Sequence, residues 1–161
     1  MAEPGGLTTV EQRAVLASAF AEIYSPTEKI KTLVVENFPA LGKLAAMRFI
    51  EWVQDHLCCV VSLPNVKTPE HFIRWVERLT TRWDEAETRR ALEDAGIDPG
   101  RGPDLRSLHF VQIDEFYPID PRQDHTLHAY VRRFNSHGFG RDPDRALLID
   151  CNEIGLRKSQ T

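Results

Sequence analysis

Asp114 and Glu115 follow directly on the apolar run LHFVQI, residues 108–113. A carboxylate at the end of a buried strand is held rigidly at a rim and partly shielded from water, so Asp114 could serve as a base with a raised pKa. Glu115 points the other way if the strand continues through it, and the two then cannot work as a pair. The alternative for Asp114 is a carboxylate bonded to loop backbone. The residues alone leave both open.

A second polar cluster lies in SLPNVKTPEHF, residues 62–72, which reads as strand, turn and helix without a glycine. A helix N-terminus offers free N–H groups and a partial positive charge, which suits a phosphate, and Lys67 and the Thr68 hydroxyl could support it. An ordinary strand-to-helix turn capped by Thr68 fits the same residues. His125 and His128, three apart with Asp124 beside them and His137 beyond, lack a tight ligand motif, so they read as a solvated helix face and no metal is expected. His109 inside a strand reads as a hydrogen-bonded core residue, and His56 and His71 sit near helix ends without an evident partner.

These residues need elements to hold them. Helical spacing of apolar residues predicts a first helix over 9–24, stopped by Ser25-Pro26. TLVVE, 32–36, reads as a short buried strand. Pro39 opens a second helix with Leu41, Leu44, Ala45, Phe49, Trp52 and Val53 on one face, ending near His56. CCVVSL, 58–63, is an apolar run without alternation, the pattern of a parallel strand covered on both faces. Thr68-Pro69 starts a third helix that buries Phe72, Trp75, Val76 and Leu79, and a charged helical piece follows over 84–95. The breakers in GIDPGRGP, 96–103, make a loop. A strand over 108–113, a helix over 127–134 and a strand over 146–149 complete the chain. Strands alternating with helices predict an α/β parallel sheet with helices on both faces, whose ligand crevice lies beyond the carboxyl ends of the strands.

Composition narrows the partners. The 161 residues carry a net charge of −4 with Lys and Arg spread out. Neither nucleic acid nor an anionic membrane is expected as a partner. There is no apolar run of spanning length, and MAEPGGLTTVEQ lacks the regions of a signal peptide, so the expected location is cytoplasmic. Cys58 and Cys59 would face opposite ways in a strand, and all three cysteines read as small buried hydrophobes.

Together, LPNVKTPEHF (63–72) and LHFVQIDEFYPID (108–120) resemble the glucosamine-6-phosphate deaminase family and, more generally, its relatives the 6-phosphogluconolactonases. Family members carry L-P-T-G-x-T-P at the first place and Asp-Glu-Tyr or Asp-Glu-Phe after a strand at the second. Leu63, Pro64, Thr68, Pro69, Asp114, Glu115 and Phe116 match. The likeness runs through ALGKLAAMRFIEWV and GFGRDPDRALLI, nearly continuously from about residue 34 to 156.

The resemblance implies a Rossmann-like three-layer domain over 1–161, with 1–26 as a helical extension. It also implies Asp114 as the base that moves a proton between C1 and C2 of an opened amino sugar. Leu63, Pro64, Asn65, Val66, Lys67 and Thr68 would hold the sugar phosphate, with no metal or organic cofactor. Two departures stand beside it. Asn65-Val66 replaces the family's Thr-Gly, and a β-branched residue is poorly suited to positive φ or to close backbone approach. Family members also continue past this length with further catalytic and basic residues, so the sheet is expected to be incomplete at its C-terminal side, with room for a homo-oligomer at the open edge. Lactone hydrolysis and a truncated, non-catalytic module are the alternative readings.

Overall fold

A computed structural model describes residues 6–18, 23–24, 32–63, 69–138 and 143–152. The chain forms two compact units, one from residues 1–56 and 71–103, the other from 57–70 and 104–161.

The first unit is mainly helical. Helix α1 (Thr9–Ala17) opens with a capping box: Glu11 N–H donates to Thr8 Oγ1 at 3.3 Å, and Thr8 N–H donates to Glu11 Oε2 at 2.7 Å. It stops at Ala17, with Ser18 in extended conformation. The helix expected over 9–24 is therefore corrected, while the extension expected over 1–26 lies in part outside the described residues. Ile23–Tyr24 instead forms strand β1, antiparallel to β2 (Thr32–Leu33), as β-branched and aromatic residues favour. The buried strand expected over 32–36 shrinks to those two residues, with Thr32 and Val34 exposed.

Helix α2 (Phe38–Asp55) begins at Asn37, whose side chain accepts from Ala40 N–H at 2.9 Å, and Pro39 lies in the first turn. It buries Gly42, Ala46, Met47, Ile50 and Val53. The buried face is thus rotated from the expected one: Leu41 is 47% exposed and Leu44, Ala45, Phe49 and Trp52 are half-buried. This helix is apolar on much of its circumference, so periodicity alone does not choose the face. Gly42 does: a Cβ there would lie 2.5 Å from His71 Cβ and 2.9 Å from Phe72 N.

Helix α3 (Glu70–Thr81) buries Ile73, Val76 and Leu79, while Phe72 and Trp75 stay half-buried. Phe72 meets Phe49 edge-on at 5.5 Å, and Trp75 lies under Lys43 Nζ at 5.4 Å and the Arg78 guanidinium at 5.1 Å. Helix α4 (Ala86–Asp94) ends in a Schellman motif. Ile97 N–H donates to Leu92 O and Gly96 N–H to Glu93 O, each at 2.9 Å, with Gly96 at φ +81° and Leu92 and Ile97 buried. The loop over 96–103 is anchored by Trp83 Nε1 donating to Pro99 O at 3.0 Å and Gln54 Nε2 to Asp98 O at 2.8 Å.

The second unit holds a parallel sheet in the order β3 (Val60–Val61), β4 (His109–Val111), β5 (Ala146–Leu147), with helix α5 (Leu127–Gly138) between β4 and β5 in the chain. Val61 pairs with Phe110 and Phe110 with Ala146, and Val61 and Phe110 are buried. On the opposite side Val60 is 64% and Leu147 69% exposed. His109 is exposed there, with Nε2 at 3.3 Å from Arg145 Nη1. The strand over 58–63 is therefore not covered on both faces, and His109 is not a core residue. The cysteines also depart from expectation. Leu57 and Cys58 form a turn with Cys58 exposed at φ +58°, Cys59 is half-buried, and only Cys151 is buried. All three are free.

Parallel pairing and alternating α and β elements make this an α/β, Rossmann-like fold. Among the described residues no helix is long and apolar enough to cross a membrane.

Candidate functional site

The three parallel strands end together, so the segments leaving them, 62–63, 112–116 and 148–152, meet at the carboxyl edge of the sheet. Ser62 Oγ donates to Val111 O at 2.7 Å and ties the ends of β3 and β4. Leu63 follows, half-buried. Pro64, Asn65, Val66, Lys67 and Thr68 lie outside the described residues. Pro69 is buried in the turn before α3, whose first turn carries Glu70.

Asp114 stands three residues past β4 and is exposed, not shielded as its position after an apolar strand suggested. Its carbonyl accepts from Gln112 Nε2 at 2.8 Å. Glu115 is half-buried. Its Oε1 accepts from Phe116 N–H at 3.0 Å and Leu127 N–H at 3.1 Å, and its Oε2 accepts from His128 N–H at 2.7 Å and Gln112 Nε2 at 3.4 Å. Burial pushes this carboxyl up. The N–H groups of His128, Phe116 and Leu127, with the Gln112 amide, outweigh it and hold Glu115 below the ordinary carboxylate range. Glu115 is therefore taken up by main-chain N–H groups, and the N-terminus of α5 already holds an anion of the protein's own.

Thr126, buried, completes that terminus by accepting from Ala129 N–H at 2.9 Å through Oγ1. His128 faces the end of β5, with Nδ1 at 3.2 Å from Ile149 O, and His125 is exposed in the turn before α5, so the two do not share the helix on which they were expected. Among the described residues no three His, Cys, Asp or Glu side chains converge as a metal site. Arg122, on the same connecting segment, makes a two-pronged ion pair with Asp120 at 2.8 to 3.2 Å. That bond holds the Asp120 carboxyl at about 2.

Sequence reasoning missed the roles of Gln112 and Thr126. Gln112 was detectable as a polar residue, with His109, in a largely apolar run, and Thr126 as a capping type just before a helical pattern.

The fold is comparable to a known one. The solved structure of a monomeric glucosamine-6-phosphate deaminase, described as a missing link of the NagB superfamily, superposes with a TM-score of 0.54 over 76% of this chain, at 14% identity. The likeness is one of fold. No protein-family model and no curated protein matches the chain. The chain spans 43% of the length of that deaminase. In an α/β fold the carboxyl edge of the parallel strands, here that of β3 and β4, is where ligands bind.

Proposed function

We propose that the protein acts on an amino-sugar phosphate, as a glucosamine-6-phosphate deaminase-like enzyme. The observation that carries this reading is Asp114: a solvent-accessible carboxylate three residues past the central strand of a parallel sheet, in a fold shared with a deaminase. Asp114 takes the C2 proton of the ring-opened aldehyde and returns it to C1. The enolamine formed in between becomes a C2 imine, which water hydrolyses to fructose 6-phosphate and ammonia. By the same family resemblance, the segment from Leu63 to Thr68 holds the sugar phosphate.

The test is ammonia release from glucosamine 6-phosphate by the purified chain, beside Asp114→Asn. Release that vanishes in the variant supports the reading; equal release in both removes Asp114 as the base. Turnover of 6-phosphogluconolactone in place of the amino sugar would move the reaction to lactone hydrolysis. A non-catalytic role is the second reading, favoured by Asn65-Val66 where the family it resembles carries Thr-Gly. Sugar-phosphate binding gained by Val66→Gly, without turnover, would support it.

A further inference from the structure

Gln112 is 3% exposed and lies one residue past β4. Its Nε2 donates to Asp114 O at 2.8 Å and Glu115 Oε2 at 3.4 Å, and its Oε1 accepts from Ile149 N–H at 3.0 Å. Two oxygens and one N–H as partners allow a single orientation of the amide. Its own N–H donates to Leu147 O at 3.0 Å. One buried side chain therefore joins the main chain at Asp114, the carboxylate that closes α5, and the segment leaving β5. The same loop is held again at Phe116, whose N–H donates to Glu115 and whose carbonyl accepts from Cys151 Sγ at 3.5 Å.

Asp114 itself is exposed, yet the bond that its carbonyl accepts from Gln112 is part-buried. A buried amide spent on that carbonyl removes the freedom of a loop crest. Proton transfer at carbon needs that restraint, because a base misplaced by about 1 Å loses about a hundredfold in rate. We propose that Gln112 is the positioning residue of this crevice, fixing the main chain of Asp114 against the end of β5, with Glu115 as the cap that anchors the loop and not as a second acid or base. The inference rests on Asp114 being the base.

Two variants of the full chain test it. Gln112→Met keeps the length and removes the amide, and Gln112→Glu keeps an acceptor for Ile149 but loses both donated bonds. In both, the backbone order parameters of Asp114 and Glu115 should fall from about 0.85 toward 0.6, while Phe110 is unchanged. The Ile149 amide should exchange on the order of tenfold faster in Gln112→Met only. With glucosamine 6-phosphate, kcat should fall and KM stay the same. Unchanged order parameters at Asp114 in both variants, or a raised KM with unchanged kcat, would overturn the proposal. A parent chain that releases no ammonia would remove the base assignment, and the order parameters would still decide whether Gln112 fixes Asp114. Should Gln112→Met not fold, Gln112→Glu carries the same test.

Discussion

The carboxylate of Glu115 accepts the N–H of His128 at 2.7 Å, across thirteen residues of chain. With the Leu127 contact at 3.1 Å, it satisfies two of the donors that a helix start leaves open, and its charge opposes the helix dipole. Glu115→Ala should cost about 1–2 kcal/mol in urea unfolding, the range of a lost cap. The pH dependence follows from the lowered pKa. The contribution is fully present above the ordinary Glu pKa of about 4.3 and is lost as the pH falls through the lower folded value. Glu115→Gln should flatten the unfolding profile over that acid range. Parallel profiles for variant and parent would refute the assignment.

Tyr130 titrates above an ordinary tyrosine, first because it is partly buried and second because the Glu70 charge disfavours a phenolate. Its stabilising contribution is present below about pH 10 and lost as the pH rises through the raised folded value. Absorbance at the phenolate band should show Tyr130 titrating late, shifted partway back in Glu70→Gln. No change in that variant would leave burial as the sole cause.

Gly42→Ala weighs two opposed effects. Alanine is better than glycine in a helix interior by roughly 0.5–1 kcal/mol. Here the added methyl would meet His71 Cβ at 2.5 Å and backbone atoms at 2.8 and 2.9 Å, which cannot swing aside. Overpacking of about 1–3 kcal/mol should win. Thermal unfolding of Gly42→Ala is expected below that of the parent, and a higher midpoint would mean that α2 and α3 separate more easily than their contact implies.

The three cysteines should react with a thiol reagent in the order of their exposure. Cys58 should be modified first, Cys59 more slowly, and Cys151 only on unfolding. Timed mass spectrometry after labelling reads the order directly. Early modification of Cys151 would contradict its packing against Phe116.

Local signals in the sequence located α2, α3, α4 and α5 and the three parallel strands, because caps, prolines and apolar spacing act within a few residues. Pro39 marked the start of α2, and Gly96 marked the end of α4. Length was less legible. The first helix yielded at Ala17 to a pairing of Ile23 and Tyr24 with residues about ten positions away, which no local pattern records.

The sequence by itself determined the α/β alternation, the sugar-phosphate family resemblance and the position of Asp114 and Glu115 at the end of a strand. Which face of α2 is buried was decided by a long-range contact, the approach of His71 to Gly42. The exposure of Asp114 and the closing of α5 by Glu115 were likewise tertiary, since both depend on β5 and α5 reaching the end of β4. A strand's alternation says which side a residue takes; only the partners that arrive from elsewhere in the chain say what meets it there.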